Sequence, residues 1–114
     1  MCHVLIIEDE PIIALSIQMM LEDEGATSFV IAATQAEAVE AALTLRPAVI
    51  TSDVQLREGT GPAAVSEIRE RLGEIPVVFI SGTPEQCSPC DAPDIVLTKP
   101  LREDALRLAF RALA

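Results

Sequence analysis

Lysine occurs once in these 114 residues, tryptophan and tyrosine not at all, and phenylalanine three times. Eight basic residues against eighteen acidic ones leave a formal net charge of −10, and the arginines are dispersed rather than clustered. A nucleic-acid backbone or an anionic membrane surface is therefore a disfavoured partner. No uncharged stretch reaches the roughly 20 residues that a membrane-spanning helix needs. The first apolar run, Val4–Ile7, is short and has no basic residue before it, unlike a signal peptide. A repeat, a low-complexity tract and a flexible linker are also missing. With half its residues hydrophobic the chain is not disordered, and its length suits one domain, residues 1–114. A cytoplasmic, water-soluble protein is expected, with no output domain after the last helix.

The single lysine, Lys99, stands where a charge is least expected, after the apolar run Ile95-Val96-Leu97-Thr98 and before Pro100. Three other apolar runs end in polar groups. Val4–Ile7 runs into Glu8-Asp9-Glu10, Ala48–Ser52 into Asp53, and Val77–Ile80 into Ser81-Gly82. Short apolar runs without polar alternation read as strands buried on both faces, the pattern of a parallel sheet. Ligands of such sheets bind beyond the carboxyl ends of the strands. One edge should thus collect Glu8, Asp9, Asp53, Ser81 and Lys99. Glu10, one position further, should open the following helix and face outward.

Clustered carboxylates either raise a pKa or share a cation. An oxygen-only set open to water suits Mg²⁺, which takes one or two carboxylates and keeps several waters. A hydroxyl and an ammonium beside such a metal can hold a phosphoryl group. Asp53 alone reads as a turn or helix cap, the commonest fate of an aspartate at such a boundary. Its companions on the same edge make it a candidate phosphoryl acceptor.

With these residues in this order, the chain resembles the receiver domain of two-component response regulators from Val4 to about Leu113. The resemblance implies a five-stranded, doubly wound, flavodoxin-like α/β fold. It implies that Asp53 is phosphorylated, that Glu8 and Asp9 hold Mg²⁺ with the Gln55 backbone carbonyl as a further ligand, and that Ser81 is the switch hydroxyl. Lys99-Pro100 corresponds to a lysine-proline pair whose peptide bond is typically cis in the family. The donor it implies is a phosphohistidine of a histidine kinase or phosphotransfer protein, and the output is a change in protein contacts rather than enzyme turnover. Without an output domain, such a receiver acts on a downstream signalling protein or drains phosphate from a shared kinase. A Mg²⁺-dependent phosphohydrolase is a third reading; Gln55, where that class has a second aspartate, speaks against it.

Helical segments alternate with the strands. Pro11 opens one that runs to about Glu24 and stops at Gly25. Thr34 with Glu37 forms a capping box for a second, which ends at Arg46-Pro47. A third covers roughly Pro62 to Leu72 and a last one starts at Glu103. A weaker strand is expected over Thr27 to Ala32. Gly82 to Asp94, with Pro84, Pro89 and Pro93, leaves room for about one helical turn, so a short, displaced or mobile substitute for the family's fourth helix is expected there.

The chain also departs from the family pattern. Thr83 and Val96 stand where many members carry a switch aromatic. Phe79-Ile80-Ser81-Gly82-Thr83 resembles a degenerate "FAT GUY" motif, and also the receivers of alphaproteobacterial general stress response regulators. Cys87-Ser88-Pro89-Cys90 is a C-x-x-C and Cys2-His3 adds two soft ligands. The two pairs belong to opposite ends of the predicted sheet, so neither zinc nor a redox role is expected. In the first helix Ile13, Ile17, Met20 and Leu21 follow one helical stripe. Ile12, Leu15 and Met19 form a second, either incidental surface or, as the resemblance implies, the surface that docks the phosphoryl donor.

Overall fold

Uniformly apolar strands require cover on both faces, and the chain supplies it with helices between them. In a computed structural model, which describes residues 2–81, 95–99 and 102–113, the elements are β1 (His3–Ile7), α1 (Pro11–Asp23), β2 (Ser28–Ala32), α2 (Gln35–Thr44), β3 (Val49–Asp53), α3 (Gly61–Leu72), β4 (Val77–Ser81), β5 (Ile95–Thr98) and α4 (Glu103–Leu113). All strand pairs are parallel and the order is β2-β1-β3-β4-β5. This is the doubly wound flavodoxin-like arrangement, in which the order reverses between β1 and β3. The expected fold class is observed. The irregular fourth helix, the Gly82 to Asp94 segment, Thr83, Cys87, Cys90 and Pro100 lie outside the described residues.

Each central strand splits its apolar residues between two cores. Leu5, Ile7, Ile50, Val77 and Phe79 pack with Ala38 and Ala42 of α2 and Ala64, Val65 and Ile68 of α3. Val4, Ile6, Val49, Val78 and Ile80 pack with Ala14, Ile17 and Leu21 of α1 and Leu106, Ala109 and Phe110 of α4. The period-two geometry of a strand makes neighbours diverge in this way, so a strand between two helical layers has no polar position to alternate. Truncating Leu21 or Leu106 to alanine would cost about 2–5 kcal/mol in such a setting.

Double burial does not extend to the outer strands. β2 and β5 are the sheet edges, and Val30, Ile31, Val96 and Thr98 are exposed. Ile95 and Leu97 pack on the core of α1 and α4 while Val96 and Thr98, on the opposite face, stay exposed, so this apolar run is covered on one face only.

The helix ends follow local chemistry. Pro11 is the first residue of α1, where its missing N–H is no loss. After α1 the Gly25 N–H bonds the Glu22 carbonyl and the Ala26 N–H bonds Leu21. This paired closure needs a left-handed residue, and Gly25 has φ 102. Thr34 caps α2 by accepting from the Glu37 N–H at 3.2 Å. The Glu37 carboxylate returns to the Ala33 N–H at 2.9 Å, one residue before the position a regular capping box would use. Arg107 of α4 reaches the Met20 carbonyl and the Asp23 and Glu24 carboxylates at the end of α1, and Arg111 also pairs with Glu24. No helix among the described residues is long and apolar enough to cross a membrane.

Candidate functional site

Because the strands share one direction, their last residues meet at one edge. Glu8 and Asp9 follow β1, Asp53 ends β3, Ser81 ends β4 and Lys99 follows β5. One oxygen each from the Glu8, Asp9 and Asp53 carboxylates lies within 4.8 Å of the others. Glu8 is 2 % exposed and Asp53 7 %, whereas Asp9 is half-buried. Glu10 is exposed, outside the cluster, as its position one residue further requires.

Backbone bonds fix the frame. The Glu8 N–H donates to the Ala32 carbonyl at 2.9 Å, which extends the β1–β2 pairing to the site. Asp53 Oδ1 accepts from the Val54 N–H at 2.8 Å, and Oδ2 accepts from Lys99 Nζ at 3.1 Å. Lys99 is held in turn at its own backbone, where its N–H donates to the Ser81 carbonyl at 2.9 Å. Ser81 is buried between Asp53's strand and Lys99's strand in the sheet order. Gln55 is exposed, in the loop after β3, and faces Thr60 across an isolated antiparallel bridge.

Two residues of this frame carry no signature in the sequence. The first turn of α3 presses on the end of β3: a Cβ on Gly61 would lie 1.8 Å from the Asp53 carbonyl oxygen and 2.2 Å from Ser52 Oγ. Only glycine fits there, although its backbone is not left-handed. Gly61-Pro62 marks a helix start in the sequence, but nothing beside it points to Asp53. The second is Gln35, 25 residues before Thr60, whose side-chain oxygen accepts from the Thr60 N–H.

Three carboxylates meet one ammonium, and the imbalance shows in the protonation of Glu8. Burial, then the charge of Asp53, push its carboxyl up to about 7, against the opposing pull of Lys99 and the Glu10 N–H. For Lys99, burial favours the neutral amine. Its hydrogen bond and attraction to Asp53, with Glu8 and Glu10 further off, outweigh that and hold its pKa above the ordinary lysine value. The site is a cationic finger over an acidic pocket. A set of hard oxygen donors that raises one of its own pKa values fits a small divalent cation, which would relieve the repulsion.

Comparison with known proteins bears on the whole chain. Residues 4–111 match the response regulator receiver domain family. The chain is 36 % identical over 104 residues to the phyllosphere-induced regulator PhyR of Methylorubrum extorquens, covering 88 % of this chain and 39 % of that protein. The solution structure of the Erythrobacter litoralis PhyR receiver domain superposes with a TM-score of 0.87 at 32 % identity, covering 98 % of this chain and 88 % of that one. The anti-anti-sigma factor PhyR of Bartonella quintana superposes with a TM-score of 0.81 at 36 % identity, over 96 % of this chain and 45 % of that one. The chain therefore spans less than half the length of the two full regulators. Fold, motif order and matched span agree, and this chain belongs to the response regulator receiver domain family.

Proposed function

We propose that Asp53 is the phosphoryl acceptor of this receiver, taking its phosphoryl group from a phosphohistidine of a histidine kinase or phosphotransfer protein. The observation that carries the reading is the approach of Lys99 Nζ to Asp53 Oδ2 at 3.1 Å opposite the converging carboxylates of Glu8 and Asp9. A carboxylate oxygen of Asp53 forms the new bond to phosphorus while the phosphorus–nitrogen bond breaks, its electron pair returning to the imidazole. Asp53 needs no general base, because it is already an anion. The difficulty is electrostatic, an anion approaching an anion in a pocket of carboxylates.

Glu8, Asp9, Asp53 and the Gln55 backbone carbonyl are proposed to hold Mg²⁺, which supplies charge neutralisation when bound. Lys99 and Ser81 are proposed to receive the phosphoryl oxygens. Lys99 is suited to this because its ammonium stays charged at all physiological pH values and is pinned to β4 by its backbone. The phosphorylated form is proposed to signal by changing protein contacts. A related regulator being an anti-anti-sigma factor supports a protein as the downstream partner; withdrawal of phosphate from a shared kinase is the alternative use of the same chemistry.

The donor needs a place to dock beside Asp53. On α1, Ile12 is 82 %, Leu15 53 % and Met19 60 % exposed, while Ala14, Ile17 and Leu21 are buried against the sheet. This second stripe is proposed as the docking surface. Replacing Ile12 and Leu15 together by aspartate should slow phosphotransfer from a phosphorylated donor protein and leave labelling by a small phosphodonor unchanged. Equal rates with the protein donor would remove the docking role, and transfer that persists in Asp53→Asn would remove the acceptor.

A further inference from the structure

Gln35 begins α2, yet its side chain serves the loop between β3 and α3. Its Oε1 accepts from the Thr60 N–H at 3.2 Å, its Nε2 donates to Glu67 Oε2 of α3 at 3.3 Å, and its backbone N–H donates to the Glu58 carbonyl at 3.1 Å. The amide can sit only this way round, since Thr60 N–H needs an acceptor and a carboxylate needs a donor. Gly59, at φ 82, comes so close that a Cβ there would lie 2.3 Å from Gln35 Oε1. One side chain thus ties three parts of the fold together.

What it holds is the residue opposite Gln55. In the Gln55–Thr60 bridge the Gly61 N–H donates to the Val54 carbonyl at 3.0 Å, so the bond flanks the pair. In such a pair neither residue spends its own N–H or carbonyl on the other. Thr60 gives its N–H to Gln35, and the Gln55 carbonyl is left for another use. Gln55, Arg57, Glu58 and Gly59 are all exposed. A segment with so little burial opens cheaply unless polar bonds hold it.

We infer that Gln35 is a positioning residue for the phosphoacceptor site: by clamping Thr60 it fixes the Gln55 carbonyl beside Asp53. The inference rests on the reading of Glu8, Asp9 and Asp53 as a Mg²⁺ site. Asp53 itself belongs to a fully buried strand, so losing the clamp loosens Gln55 and leaves Asp53 in place.

Mg²⁺ titration calorimetry on the full chain tests this, with amide hydrogen exchange at Thr60 as a second readout. Gln35→Met keeps length and bulk but has no strong acceptor. It should weaken Mg²⁺ binding by about tenfold, the scale of losing a support for a metal ligand. Its Thr60 amide should exchange faster while its metal-free melting midpoint stays near that of wild type. Gln35→Glu combined with Glu67→Gln exchanges amide and carboxylate, so that position 35 still accepts from the Thr60 N–H and position 67 now supplies the donor; the pair should recover most of the affinity. Wild-type affinity in Gln35→Met, or no recovery in the combined Gln35→Glu and Glu67→Gln variant, would overturn the role. Asp9→Ala separates the two levels. If wild type shows no Asp9-dependent Mg²⁺ binding, the metal site itself fails and the clamp with it; if it does and Gln35→Met binds equally well, only the clamp fails.

Discussion

Lys99 Nζ and Asp53 Oδ2, 46 residues apart in the chain, lie 3.1 Å apart at the carboxyl edge of the sheet. The lysine side chain keeps 30 % of its exposure and the aspartate 9 %. The pair is therefore neither a screened surface bridge nor fully buried. Removing the lysine leaves three carboxylates facing one another. Lys99→Met should destabilise the metal-free protein by about 2 kcal/mol, below the figure for a fully buried pair. It should bind Mg²⁺ at least as tightly as wild type, because a competing positive charge is gone. Denaturant titrations with and without Mg²⁺ would show a larger metal effect in the variant; a smaller one would make Lys99 a structural residue.

Metal binding should stabilise the fold. A ligand at a hundredfold excess over its Kd adds about 2.7 kcal/mol. That increment should appear in wild type and vanish in Asp9→Ala. An equal rise in both proteins would place the ion elsewhere on this acidic surface.

Glu8 makes the same stability depend on pH. Its folded pKa, about 7, lies above the ordinary 4.5, so the folded state holds this proton more tightly than the unfolded one. In metal-free protein the contribution of Glu8 is fully favourable below the lower value and is lost as pH rises through about 7, on the order of 3 kcal/mol in all. Mg²⁺ requires the ionised form and should bind more weakly as pH falls through the same window. Glu8→Gln should flatten the stability profile of the metal-free protein between pH 5 and 7. An unchanged slope there would assign it to other groups.

Gly61 is the tightest point of the frame. Gly61→Ala drives a methyl into the Asp53 carbonyl oxygen, which is backbone and cannot swing away. It should cost more than about 2 kcal/mol by thermal or denaturant unfolding. A near-neutral change would mean that α3 shifts freely against β3.

What the sequence discloses here follows from how local each signal is. β1, β3 and β4 are legible because double burial leaves an unbroken apolar run, and Glu8, Asp9, Asp53, Ser81 and Lys99 because each directly ends or follows such a run. The helix stops at Gly25 and the Thr34 cap are legible because capping is a matter of a few neighbouring residues. The edge character of β5 is not, since Ile95–Thr98 reads the same whether or not a neighbour lies beyond it. Gln35 and Gly61 are invisible for a related reason: each matters through an atom on a different element, Thr60 and Asp53, that only the folded chain brings near. Likewise nothing near Arg107 in the sequence points to Asp23 and Glu24 at the far end of the chain.

The intact mass of the protein after incubation with a small phosphodonor tests the central claim most directly. With Mg²⁺ present, wild type should gain a single phosphoryl group, and chelation of the metal should abolish the gain. Asp53→Asn should stay unmodified under both conditions. A phosphoryl adduct on Asp53→Asn, or one on wild type that forms equally well without Mg²⁺, would contradict the account.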